Sequence, residues 1–239
     1  MMNLSIPKII HQIWWGIDGP LPDYFRAFGD TWKKRHPDWQ YAYWDKTRCF
    51  NLINDFYPQY LDTFEKFQYD IQRIDAIRYL ILDKTGGLYV DFDTECLKPH
   101  DALFAGQTCC FSMEPEKHCI HFNRPNLFNN ALMACIPGHP FMHEIIETIF
   151  SYKPKTEIFP PGGERNDEIL STTGPFIITD TYEKYREKEQ VFLIPAQYVS
   201  PLDMNEIALI RRGYESAVFD EKIKNAYSVH YFWGNWWWF

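Results

Sequence analysis

One uninterrupted run, Phe67 to Asp93, restricts this chain more than any other feature. The stretch from about Phe67 to Lys84 sets Ile71, Ile74, Ile77 and Ile81 on one apolar stripe at helical spacing. Gly86-Gly87 ends the predicted helix, as glycine commonly does. Leu88-Tyr89-Val90 then enters a short apolar strand that runs straight into Asp91-Phe92-Asp93. On a regular strand, carboxylates at i and i+2 point to the same face. At a strand's carboxyl end they meet the crevice where α/β sheets bind ligands. Two like charges this close are costly without a cation between them.

The rest of the chain supplies the strands and helices that such a unit needs. Lys8 to Gly16 and Trp39 to Asp45 read as strands, with a helical pattern over Pro20 to His36 between them. Thr108 to Met113 and Val191 to Pro195 read as further strands, and His139 to Tyr152 and Phe176 to Glu187 as helices. Phe159 to Asp167 is a Pro/Gly-rich polar stretch that reads as a long loop. Strands alternating with helices, without repeat or linker, predict a single α/β domain over residues 1–239. Its end, residues 228–239, is expected to close over the site.

Composition narrows the partners. A net charge of -8 without a basic run argues against a nucleic-acid backbone. An acidic protein that binds an anionic diphosphate needs local help from a metal ion or a buried arginine. Nine Trp and fifteen Tyr suit a surface that stacks on sugar or base rings. The six cysteines form no CxxC pair and suggest no zinc spacing; they read as free thiols of a reducing compartment. No secretory pattern and no apolar run of membrane-spanning length is found, so a cytoplasmic location is expected. The Trp236-Trp237-Trp238-Phe239 end suits peripheral contact with a membrane interface.

The candidate chemistry centres on Asp91-x-Asp93. Hard oxygen ligands favour magnesium or manganese, and such an ion would bridge the phosphates of a nucleotide-sugar and stabilise the departing diphosphate. Asp75 and Arg78 lie three apart on the preceding helix and share a face. Aimed back along the strand, Arg78 would reach donor phosphates or sugar, and Asp75 would accept from sugar hydroxyls. Near the end of the chain, His230 is a candidate third ligand beside Asn235 and Trp236.

These residues resemble glycosyltransferase family 32. The resemblance is carried by Ile6 to Gly16 (IPKIIHQIWWG), Asp75 to Pro99 (DAIRYLILDKTGGLYVDFDTECLKP), Asn130 to Pro140 (NALMACIPGHP), Thr173-Gly174-Pro175 and His230 to Trp236 (HYFWGNW). The Asp-x-x-Arg and Asp-x-Asp spacing is also similar to that of the clostridial glucosylating toxins. The resemblance implies a GT-A fold, that is, a Rossmann-like mixed central sheet flanked by helices. It also implies a divalent metal, Mn2+ or Mg2+, and transfer with retention of configuration. By the same likeness Asp91 would contact donor ribose and metal, Asp93 would be the principal metal ligand, and Asp75, Arg78 and Asn130 would hold the transferred sugar. Trp14 would stack on the base, Tyr89 would support the ribose, and His230 and Trp236 match the family's terminal His and Trp. Two departures stand out. Asn235 replaces a common Ser, and Tyr231 replaces a common second His.

The expected activity is hexose transfer from a nucleotide-sugar to a glycan or lipid-linked oligosaccharide in surface polysaccharide synthesis. The Trp14 match favours a UDP-hexose over GDP-mannose. Front-face substitution needs no protein nucleophile; a double displacement would call on Glu114 or Asp167. Two rivals fit less well. A haloacid-dehalogenase-type phosphohydrolase wants Thr or Val where Glu95 stands, and a second acidic pair that is missing. A carbohydrate-binding module would have no need of Asp75, Arg78, Asp91 and Asp93 together.

Overall fold

The computed structural model describes residues 5–16, 19–151 and 164–233. Among these residues eight strands lie in two sheets: β1 (Ile9–Ile13), β2 (Gln40–Trp44), β3 (Gly87–Val90), β4 (Thr94–Cys96), β5 (Cys109–Met113), β6 (Phe128–Cys135), β7 (Phe192–Ile194) and β8 (Ser228–His230). The main sheet runs β2-β1-β3-β6-β5-β7, and β4 pairs with β8 alone. The pairs β1–β2, β1–β3 and β5–β7 are parallel, whereas β6 lies antiparallel to both β3 and β5. The sheet is therefore mixed, as expected.

Alternation along the strands divides the core between the two faces. Tyr89, Phe111, Met133 and Cys135 pack on one face with the helices Asp70–Thr85 and Pro140–Phe150. Leu88, Val90, Cys110, Leu132 and Ala134 pack on the other, over Trp32 of the helix Asp23–Arg35.

The Asp70–Thr85 helix departs from the expected amphipathic stripe. Every residue from Asp75 to Asp83 is buried. Sheet, neighbouring helices and site enclose it on all sides, so its polar residues must find partners inside the protein. Gly86 and Gly87 do more than end it. Both have positive φ, and a Cβ on Gly87 would stand 2.6 Å from the Ile9 carbonyl oxygen. The pair allows the chain to reverse directly against β1. His11 secures that reversal: its Nε2 donates to the Gly86 carbonyl (2.9 Å), and its Nδ1 accepts from Trp44 Nε1 (3.1 Å).

The predicted 159–167 loop is corrected at its end, where Glu164–Thr172 forms a helix. Once its ends are anchored, the local sequence ERNDEILST can bury Ile169 and Leu170 on the Pro175–Lys184 helix. Residues 159–163 of that stretch, and Asn235, Trp236 and the 237–239 end, lie outside the described residues. Among the described residues no helix is long and apolar enough to cross a membrane. The six cysteines are unpaired, five of them buried.

Candidate active site

A cavity of about 470 Å³ opens at the carboxyl end of β3. Trp14, Asp75, Arg78, Tyr89, Asp91, Asp93, Asn130 and His230 all line it. Every predicted site residue within the described part of the chain is thus gathered in one place.

The two aspartates converge by a different route from the one expected. β3 ends at Val90, and the Asp91 N–H makes one last bond to the Ala131 carbonyl (2.9 Å). The chain then turns, with Thr94 N donating to Asp91 O (3.2 Å). A turn, not the pleat of a strand, brings both carboxylates together, because the β4 ladder begins only at Thr94. That ladder also delivers His230: its register opposes Thr94 to His230, and Tyr231 N continues it to the Asp93 carbonyl (2.8 Å).

Arg78 is the hub of the buried charges. It is 3% exposed at the side chain. Its guanidinium meets Asp75 Oδ1 at 3.0 Å and Asp91 Oδ1 at 3.3 Å, and donates to the Asn130 carbonyl at 2.9 Å. It also lies over the Tyr89 ring, 4.7 Å from the centroid. Burial works against its charge, but Asp91, Tyr89 and Asp75 hold its pKa above the ordinary range. Both Asp75 oxygens are engaged, Oδ1 by Asn130 Nδ2 (3.0 Å) and Oδ2 by Thr173 Oγ1 (3.1 Å). Burial pushes the Asp75 carboxyl up to about 7, against the pull of Arg78 and with the push of Asp91. Asn130 also donates to the Tyr79 hydroxyl, which in turn donates to the Thr173 carbonyl. The result is one closed network of fixed dipoles beneath the cavity floor.

The position of Asn130 comes from a bulge. β6 slips against β5 between Phe111 and Ser112, and Ser112 Oγ donates to the carbonyls of Asn129 and Leu132 across the slip. Such irregularities re-aim side chains beside sites. Here Asn129 is turned toward His230 and Asn130 toward Asp75.

Asp91, Asp93 and His230 each offer one ligand atom, all within 4.8 Å of one another. Burial, and then the neighbouring Asp93, raise the Asp91 pKa, while Arg78 and the Tyr89 hydroxyl oppose the rise. Asp93 is pulled below the usual range by His230 and by the Trp233 N–H at 2.8 Å, against its burial. Two half-buried carboxylates and an imidazole facing a cavity fit a divalent cation. The histidine is poised differently. Asn129 Oδ1 accepts from Ala131 N (2.8 Å), which turns the Asn129 NH2 toward His230 Nδ1 (3.2 Å). His230 therefore carries its proton on Nε2, directed at Asp93 Oδ1 3.2 Å away. To ligate through Nε2 it would shift that proton to Nδ1, and the Asn129 amide would turn.

Of the two carboxylates left open as nucleophiles, Glu114 lines the cavity and is held by His118 Nδ1 (2.6 Å). Asp167 is not among the lining residues. Sequence reasoning gave no role to Tyr79, Thr173, Asn129 or Trp233, and it named Glu114 without its partner His118. A paired amide in the otherwise apolar Phe128–Cys135 run was the signal for Asn129.

Fold and site together define the class: a GT-A glycosyltransferase fold with a DXD site at the end of its third strand. Residues 22–110 match the family described as "Glycosyltransferase sugar-binding region containing DXD motif". Mannosyl phosphorylinositol ceramide synthase SUR1 of Saccharomyces cerevisiae is 31% identical over 181 residues, 76% of this chain and 43% of that protein. Inositol phosphoceramide mannosyltransferase 1 of Schizosaccharomyces pombe is 28% identical over 80% of this chain and 56% of its own length. This chain thus spans about half the length of the curated relatives it matches. The ligand-free glycosyltransferase domain of the YGT toxin superposes with a TM-score of 0.57 at 10% identity, covering 80% of each chain, a likeness of fold. The resemblance read from the motifs stands: the chain carries the DXD sugar-binding region of the family 32-type glycosyltransferases.

Proposed function

We propose that this chain transfers a hexose from a nucleotide-sugar to a hydroxyl of a glycan or glycolipid, with a divalent metal and with retention of configuration. The observation that carries the reading is the joining of two groups in one cavity. Asp75, Arg78 and Asn130 form a rigid polar floor, and Asp91, Asp93 and His230 form a cation site beside it. Mannose is the sugar that the relatives' names support, since both yeast proteins are named for mannosyl transfer to inositol-phosphate ceramides. The UDP preference rests on Trp14 alone, which stands on the cavity wall with Phe25 and Phe92 edge-on to it.

A bound Mn2+ or Mg2+ would supply counter-charge to the donor diphosphate. Asp91 and Asp93 would hold it, with His230 as a third ligand after the proton shift described above. The chain's own residues do the positioning. Asp75 accepts from sugar hydroxyls, and Asn130 and Thr173 fix its orientation. Arg78 is pinned by two carboxylates and a carbonyl, so it offers a fixed positive field where negative charge develops on the leaving group. The floor is held by its own hydrogen bonds and ion pairs, so little reorganisation would accompany transfer. Front-face substitution suits this site, because the acceptor's proton passes to the departing phosphate and no protein nucleophile is needed. Glu114, steadied by His118, remains the carboxylate for a double displacement.

A thermal-shift panel of UDP, GDP and their common sugars, each with and without manganese, tests the reading. A shift that needs both manganese and one nucleotide, and is lost in Asp93→Asn, supports it and names the donor class. No manganese-dependent shift with any nucleotide would sink it. The one-bond carbon–proton coupling at the anomeric centre of the product then decides retention.

A further inference from the structure

The donor groups leave part of the cavity unaccounted for. Apart from the donor groups its lining combines the apolar Ile71, Phe122, Leu127, Leu170 and Phe176 with Gln68, Tyr69 and Asp70. One cation, Arg165, stands among them.

Arg165 differs from the arginines around it. Arg73 is paired with Asp70, Arg78 with Asp75 and Arg124 with Asp180. Arg165 has no ion pair among the described residues, and its Nε is buried without a hydrogen-bond partner. Its guanidinium lies over the Tyr69 ring, 5.0 Å from the centroid, so one face is occupied while the donor edge is left for another group. Asp70, the nearest acidic neighbour along the chain from Tyr69, is already engaged by Arg73 at 3.0 Å. Leaving a donor unsatisfied in a buried place is costly. The side chain as a whole is only partly buried and lines the cavity, so its remaining N–H groups are the ones that an anion from outside would meet.

The donor diphosphate is poorly placed to be that anion. Its counter-charges would be Arg78 and an ion held by Asp91 and Asp93. Tyr69 lies six residues before Asp75, about 9 Å along the helix axis. Arg165 also shares its helix with the apolar Leu170. One arginine bordering an apolar surface is suited to a phosphate attached to an apolar body, and guanidinium matches phosphate with paired hydrogen bonds.

We propose that Arg165 is an acceptor subsite that binds the phosphodiester of a lipid headgroup and seats the acceptor hydroxyl against the donor sugar. This rests on the transferase reading above and names the substrate class of that same site. The test is calorimetric, on the protein with manganese and with the nucleotide that the thermal-shift panel selects. The probes are glycerophosphoinositol, myo-inositol and inorganic phosphate, against wild type, Arg165→Ala and Arg165→Gln. Wild type should bind glycerophosphoinositol at least tenfold more tightly than either other probe. Both variants should lose about tenfold or more for glycerophosphoinositol and keep wild-type affinity for manganese and nucleotide. Their melting temperatures should match wild type, and Arg165→Lys should recover part of the loss.

Unchanged glycerophosphoinositol affinity in both variants would overturn the proposal. So would a fall in nucleotide affinity instead, which would make Arg165 a donor contact. Inorganic phosphate binding as tightly as glycerophosphoinositol would assign the position to free phosphate and reject the headgroup. If wild type shows no manganese-dependent nucleotide binding, the transferase reading fails, while the probe comparison without nucleotide still reads Arg165.

Discussion

Among the described residues, two trios bring together groups that commonly bind metals. His36, Cys96 and His100 lie in the core beneath Trp32, and Asp91, Asp93 and His230 lie at the cavity. Within each trio the ligand atoms are within 4.8 Å of one another, so distance alone does not separate them. Hydrogen bonding and access do. His36 Nε2 accepts the His100 backbone N–H at 2.9 Å, and its Nδ1 donates to the Trp32 carbonyl at 3.2 Å, so both nitrogens are used. Burial pushes the Cys96 thiol up to about 12, and its Sγ–H faces the Lys98 carbonyl at 3.3 Å. A cation there would need a thiolate and a His36 tautomer that sets N–H against N–H. In the second trio the carboxylates repel, one of them pushed upward by burial and by the other, and the cavity gives an ion a way in. Proximity of ligand-type residues is thus a poor guide until each proton has been assigned.

The contrast can be broken experimentally, and the largest effect should come from the open trio. Asp93→Asn should abolish manganese-dependent nucleotide binding while leaving the melting temperature within a few degrees, since an amide oxygen can still accept the Trp233 N–H. Unfolding of that variant would show that Asp93 is structural. Next comes Arg78→Ala, which strands the buried Asp75 and the half-buried Asp91 without a counter-charge. Loss of one partner of such a buried group costs about 3–5 kcal/mol, or a melting temperature lower by roughly 10 °C at this size. A melting temperature that does not move would mean that water reaches the network.

The closed trio should show itself in acid. Burial holds His100 down at about 3 and His11 at about 4, from an ordinary 6.5. A histidine depressed in the folded state contributes stability that is full above pH 6.5 and is lost as pH falls. Each should cost ~1.4 kcal/mol per pH unit between about pH 6 and 4. Urea midpoints that stay flat over that range would contradict the assignment of both as neutral. Smaller still, His230→Ala should weaken manganese binding by about tenfold, close to 1.4 kcal/mol. A titration identical to wild type would make it a positioning partner of Asp93 and no ligand. Least of all, Cys96→Ala should cost about 1–2 kcal/mol of stability and leave every metal titration unchanged. A zinc-dependent melting temperature in wild type that vanishes in Cys96→Ala would reverse the contrast.

Much of the site was legible before any coordinates. The Asp75-x-x-Arg78 spacing needs only a helix, and the Gly86-Gly87 exit and the Leu88–Val90 run need only local chain preferences. Those signals are short in range, and they led to the right strand end. What failed had a long-range cause. The all-round burial of the Asp75–Asp83 segment was hidden because Arg78, Asp75 and Asp83 look like solvent-facing residues until their partners are known. The Glu164–Thr172 helix was hidden behind a Pro/Gly-rich approach, since its apolar residues acquire meaning only against the Pro175–Lys184 helix. Glu114 stood level with Asp167 until His118 and the cavity singled it out.

The sequence by itself determined five of the six strands of the main sheet, though not Phe128–Cys135, together with the chemistry of the acidic pair and the arginine that faces it. Those depend on residues within one helix, one turn and one strand. Tertiary structure alone decided how the groups meet. The antiparallel β6 and its slip against β5 aim Asn129 and Asn130, and the pairing of β4 with β8 carries His230 across more than a hundred residues to Asp93. Pairing register between distant strands is set by which apolar faces fit together in the core. No local preference records it, because a one-residue slip would leave every local signal intact and point the site residues away from each other.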